Sequence, residues 1–110
     1  QRLFGKSVPD RYDCAISDTD KLVGLLIDFI KRDPGLASNT IIILSADHGE
    51  ALGEHNSYFH GKNLYDIVLR VPLILDIPGI KGQRVSENVG LIDLVPTLLN
   101  FIGINPPTPL

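Results

Sequence analysis

The sequence predicts an α/β fold with a predominantly parallel or mixed sheet and flanking helices. Three observations carry that expectation. An amphipathic helical pattern at residues 21–32 is followed by a strand at residues 40–46 built on an unbroken apolar run with β-branched residues, Ile41 to Leu44. A second apolar run follows at residues 71–77. Carboxylates and imidazoles crowd directly behind the first run, at the end of a strand, where open α/β sheets bind their ligands.

Residues 1–11 have little periodicity, and Gly5 and Pro9 mark them as an arm. Ser17-Asp18-Thr19-Asp20 supplies residues suited to a helix N-terminus. Leu22, Leu25, Leu26, Phe29 and Ile30 then recur at helical spacing, with Val23 and Ile27 widening the stripe. Lys31 and Arg32 suit the negative end of the helix dipole, and Asp33-Pro34-Gly35 stops the helix. Residues 36–39 connect to the strand at 40–46. Its continuous apolar character fits burial on both faces, and helix followed by strand is half of a βαβ unit.

After the loop at residues 47–61, residues 63–70 predict a short helix with Leu64, Ile67 and Val68 on one side. Residues 71–77 predict a second buried strand, opened by Pro72 and closed by Pro78-Gly79. Lys81-Gly82-Gln83 turns into an edge strand at residues 84–89. Asp93 caps a last helix over residues 94–102, Pro96 is tolerated in its first turn, and Gly103 ends it. Residues 104–110 form a proline-rich tail. The whole reads as a single domain, residues 1–110, with no internal repeat.

Composition excludes several functions. The chain is 44% hydrophobic and 21% charged with a net charge of −3. Lys and Arg are scattered and form no basic footprint, so nucleic acid is not an expected partner. No stretch approaches the roughly 20 apolar residues of a membrane span, and the polar N-terminus carries no apolar signal region. The single cysteine, Cys14, rules out a disulfide within the chain and reads as a small half-buried side chain. There is no methionine, not even at position 1, from which we expect Gln1 to be a processed start and the chain to be a piece of a longer protein.

The chemistry concentrates in Asp47-His48-Gly49-Glu50 and His60-Gly61. Asp47 offers a hard anionic oxygen and His48 a borderline nitrogen, a pair suited to Zn²⁺ or Mn²⁺ and, with more carboxylates, to Ca²⁺. Gly49 lets the backbone turn after the strand. All three histidines lie between positions 48 and 60, and a loop of that length can bring His60 back to the Asp-His pair. The plain alternatives are an Asx cap for Asp47 and a hydrogen-bonded structural histidine for His48 or His60. Glu50, Glu54 and His55 read most simply as solvated loop side chains.

An ordered series of blocks resembles the C-terminal part of a sulfatase catalytic domain. The series runs from Tyr12-Asp13 through Asn39-Thr40-Ile-Ile-Ile-Leu-Ser-Ala-Asp47-His48-Gly49-Glu50-Ala-Leu-Gly53-Glu54-His55 to His60-Gly61-Lys62-Asn-Leu64-Tyr65-Asp66. Arg70-Val71-Pro72-Leu73-Ile74 and Leu91-Ile-Asp93-Leu-Val-Pro96-Thr97-Leu98-Leu99 complete it. The resemblance implies an alkaline-phosphatase-like three-layer sandwich, of which this chain is a C-terminal fragment. It implies a metal-dependent sulfuric ester hydrolase acting on sulfate esters of small molecules or carbohydrates. Asp47 and His48 match the family's late metal ligands, although many sulfatases carry Asn at the second place. His60 matches a basic position that contacts the transferred group, and Lys62 competes for that role. The metal implied is Ca²⁺, or Zn²⁺, Mn²⁺ or Mg²⁺ in phosphate-handling relatives.

The family's nucleophile is the first residue of a Cys/Ser-x-Pro-x-Arg motif, where it becomes formylglycine, or a Thr or Ser in phosphate-handling relatives. Cys14-Ala-Ile-Ser-Asp does not match, so the nucleophile and the early carboxylate ligands are expected upstream and the fragment is expected to be inactive alone. A phosphodiesterase or phosphoethanolamine-transferase-type relative acting on phosphate esters is the alternative within the superfamily. A non-catalytic interaction module, homodimerising through an exposed sheet edge, is the alternative outside it.

Overall fold

The computed structural model describes residues 7–105. The first element, α1 (Val8–Arg32), is a 25-residue helix that begins well before the predicted start. A capping box sets that start: the Ser7 hydroxyl accepts the Asp10 N–H, and the Asp10 carboxylate accepts the Ser7 N–H. Pro9 sits in the first turn, where its missing N–H costs nothing. The predicted arm is therefore helical from Val8, and its first six residues lie outside the described ones. Ser17-Asp18-Thr19-Asp20 is helix interior, not a cap. Asp18 there pairs with Lys21 at 3.0 Å.

The helix stops where the sequence indicates. Asp33 is at once the C-cap of α1 and the N-cap of α2 (Pro34–Asn39), its carboxylate accepting the Gly35 and Leu36 N–H groups. The expected connection is thus a short helix. It leads to β1 (Ile42–Ser45), which pairs with β4 (Leu73–Asp76). The pairing is antiparallel, Ile42 opposite Asp76 and Ser45 opposite Leu73. This corrects the parallel βαβ expectation. Parallel strands are usually joined by a helical crossover, whereas the connection here is a hairpin followed by a single-turn helix, α3 (Asp66–Leu69). Ser45 Oγ donates to Pro72 O at 2.8 Å and closes one end of the pair, and Lys31 Nζ meets Asp76 Oδ2 at 3.0 Å at the other.

Burial on both faces of β1 is also corrected: its residues are half-buried, with Leu44 exposed. The second pair, β2 (Ala51–Leu52) with β3 (Tyr58–Phe59), is an antiparallel hairpin inside the predicted loop. The described residues thus combine helices with two small antiparallel sheets, an α/β mixture without a three-layer sandwich.

No strand forms at residues 84–89. Its two β-branched residues, Val85 and Val89, are 62% exposed and find no neighbouring strand to pair with. The last helix, α4 (Leu94–Phe101), follows a 3-10 turn at Leu91–Asp93. Asp93 makes no side-chain cap; its carbonyl instead accepts the Thr97 hydroxyl at 2.6 Å. Gly103 ends the helix with φ 72°. Most of the predicted tail, residues 106–110, lies outside the described residues.

Candidate functional site

The site grows from the C-terminal end of β1. Gly49 is pinned there: its N–H donates to Val68 O at 2.7 Å, and a Cβ on it would lie 2.1 Å from Ile67 O. Only glycine allows this approach of two backbones. Ala51, 1% exposed, and Val68, 6% exposed, form the small core beneath.

Asp47 and His48 stand on this anchored turn. Asp47 Oδ1 accepts the His48 N–H at 3.0 Å, a bond to the next residue and not the Asx turn, which reaches two residues on. Its other oxygen, Oδ2, lies 3.7 Å from His48 Nε2. His48 Nδ1 lies 2.9 Å from Gly49 O. A carbonyl only accepts, so in the neutral ring Nδ1 carries the proton and Nε2 presents its lone pair. With that tautomer, Asp47 Oδ2 and His48 Nε2 are two acceptors 3.7 Å apart. That spacing is compatible with two neighbouring positions around one ion with bonds of about 2.0–2.4 Å. The residues fit a divalent metal as one edge of a coordination sphere. Among the described residues no group of three His, Cys, Asp or Glu converges to complete it.

The loop does fold back. The hairpin turn at Gly53 and Glu54–Asn56 holds His55 and Asn56 in the left-handed region at φ 53°, and Phe59, at the end of β3, is left-handed at φ 68°. The His60 ring comes to rest 4.0 Å from the His48 ring, centroid to centroid. Lys62 is exposed and, among the described residues, makes no hydrogen bond or ion pair.

The three side chains read as solvated are all engaged. Glu50 lies against His60, its oxygens 3.3 and 3.4 Å from Nδ1. The Glu54 carboxylate accepts the Leu52 N–H at 2.8 Å, and backbone N–H groups, its own first, hold it below its ordinary value. His55 stacks on Tyr65 at 4.2 Å. Glu50 was the residue the sequence concealed; the signal was hairpin register, which the loop's glycine and Asn content did not announce as β.

A Ser-x-Pro-x-Arg spelling also occurs at Ser7-Val8-Pro9-Asp10-Arg11. In the structure Ser7 caps α1 and Pro9 opens its first turn, so helix initiation accounts for the pattern. Cys14 is half-buried on α1.

Comparison with known proteins agrees with the resemblance. The sulfatase family model matches residues 2–104. Arylsulfatase K from Homo sapiens is 37% identical over 100 residues, 90% of this chain. The Canis lupus familiaris arylsulfatase K is 36% identical over 99 residues, 89% of the chain. The Danio rerio protein is 32% identical over 94 residues, 84% of the chain. In each case the chain spans only 18% of the relative's length. With the match running nearly end to end through the anchored Asp-His turn, the chain belongs to the sulfatase family.

Proposed function

We propose that this chain is the part of a metal-dependent sulfuric ester hydrolase that supplies two metal ligands and a group for the sulfate oxygens. The observation that carries the reading is the pair of acceptors, Asp47 Oδ2 and His48 Nε2, 3.7 Å apart. They would hold the ion, Ca²⁺ by the family resemblance. When bound, the ion supplies positive charge against the sulfuryl oxygens and the nucleophile.

The residues of this chain divide the remaining work. Gly49 N–H, fixed on Val68 O, sets the angle at which the turn leaves β1. The Gly49 carbonyl fixes the His48 tautomer that leaves Nε2 unprotonated, a second partner of the kind that orients metal-bound imidazoles. His60, beside the His48 ring, would meet a non-bridging sulfate oxygen or protonate the leaving group. Lys62 is the competing group for that role. In this reading residues 1–110 form one piece of a larger alkaline-phosphatase-like catalytic sandwich, whose other parts bring the nucleophile and the remaining ligands.

The test compares the full-length parent protein with this chain on an aryl sulfate and an aryl phosphate, with Ca²⁺, Mn²⁺ and Zn²⁺ in turn. The parent is expected to hydrolyse the sulfate and to lose at least about 100-fold of turnover on Asp47→Ala. The chain alone is expected to be inactive. A phosphate preference with Zn²⁺ or Mn²⁺ would move the protein to the phosphotransferase branch. Sulfate turnover indifferent to Asp47→Ala would overturn the metal-ligand assignment.

A further inference from the structure

We infer that Glu50 is the positioning residue for His60: its carboxylate takes the Nδ1–H and holds the ring so that Nε2 is the nitrogen left for the substrate. This rests on the reading above, in which His60 serves the sulfate group.

The hairpin register creates the pair. Ala51 faces Phe59 and Leu52 faces Tyr58. The ladder ends at Ala51–Phe59, and Glu50 and His60 are the residues just beyond it on either side, brought together past its last pair. Both carboxylate oxygens reach Nδ1, at 3.3 and 3.4 Å. An ionised carboxylate can only accept, so the neutral imidazole beside it carries its proton on Nδ1.

The backbone on both sides of this contact is held. Gly49, before Glu50, is bonded to Val68, and Ala51, after it, is the most buried residue of the core. His60 sits between two left-handed positions, Phe59 at φ 68° and Gly61 at φ 80°. One face of its ring is covered by His48, tilted by 32°. Glu50 is the least exposed side chain of the set, at 24%, against 41% for His48, 51% for His60 and 90% for Asp47. Carboxylates are drawn out of water when they have a partner to satisfy. Lys62 has no comparable support among the described residues, so the pair also favours His60 over Lys62 for the basic role.

The experiment uses the full-length protein labelled with ¹⁵N-histidine, with the His60 ring signals assigned by their loss in His60→Ala. Under conditions where the ring is neutral, long-range proton–nitrogen correlations are expected to show the Nδ1–H tautomer. Glu50→Gln, whose amide oxygen still accepts, is expected to keep it, and Glu50→Ala to lose it. An Nε2–H tautomer in the unmodified protein, or one unchanged by Glu50→Ala, would overturn the inference.

Turnover of an aryl sulfate gives the second readout. Glu50→Ala is expected to lower kcat by about 10–100-fold, in line with partners that orient site histidines, with KM little changed. Glu50→Gln is expected to restore most of it. Adding Glu50→Ala to His60→Ala is expected to cost nothing more, because the two act as one unit. Additive losses would sink the pairing. If the unmodified protein shows no Asp47-dependent turnover, the hydrolase reading falls, and the ring signals alone decide whether Glu50 orients His60.

Discussion

Ser7 and Asp10 show how one pair of residues can be given two meanings. Ser7 lies in a spelling that a sulfatase nucleophile also has, yet its hydroxyl and Asp10 close a reciprocal cap, with Ser7 Oγ 2.7 Å from the Asp10 carboxylate. The helical role predicts a specific response. Ser7→Ala in the full-length protein should cost about 1 kcal/mol of stability, the usual loss of a good N-cap, and leave turnover unchanged. Loss of turnover at unaltered stability would instead make Ser7 a reacting group. The Asp10 carboxyl adds a pH signature. The Ser7 hydroxyl, and then the Ser7 N–H, hold it below its ordinary value. A lowered carboxyl contributes fully above its unfolded pKa, and the contribution fades as the pH falls through the lowered one. Thermal melts of wild type should therefore lose the cap on acidification, while Ser7→Ala should show a flatter acid limb.

Among the elements, the turn between β1 and β2 positions most of the site, and Gly49 is its fixed point. Gly49→Ala pushes a methyl into the Ile67 carbonyl and must break the Gly49–Val68 bond. A cost of about 1–3 kcal/mol is expected from such overpacking, together with loss of the His48–His60 ring contact. Chemical denaturation measures the first and histidine ring shifts the second. This element also shows what could be read from sequence. Asp47 and His48 were visible because they are adjacent and follow an apolar strand. The return of His60 was foreseeable from loop length alone. The Glu50 contact was not: Gly53, Asn56 and Ser57 announce a turn but not which residues around it pair, and a two-residue ladder is too short to show an alternating apolar pattern. The early start of α1 was hidden likewise: its cap uses Asp10 where the familiar pattern has Glu or Gln. The direction of β4 was hidden for a different reason. Two apolar strands look the same whichever way they run, and the connection between them, a hairpin followed by the one-turn α3, does not spell out its direction in the sequence.

At the scale of the whole molecule, surface area is the informative quantity. A compact protein of 12.0 kDa should expose about 6,000 Å² by the usual scaling, whereas this chain exposes 9520 Å². The apolar side chains say where the excess lies. Along α1, Val23, Ile27 and Ile30 are half-buried, but Leu22, Leu25, Leu26 and Phe29 on the neighbouring flank are 59–68% exposed. A helix apolar on two flanks belongs between two layers, and in the proposed parent sandwich the second flank is covered. The same substitution should then have two different costs. Leu25→Ala in the isolated chain should change stability by less than about 0.5 kcal/mol, as a surface position does. In the full-length protein it should cost about 2–5 kcal/mol, as a buried leucine does. The isolated chain should also self-associate through this flank, with Leu25→Glu and Phe29→Glu together returning it to monomer in light scattering. Equal and small costs of Leu25→Ala in both proteins would mean that the flank stays open in the parent, and that α1 lies on the outside of the enzyme instead of between its layers.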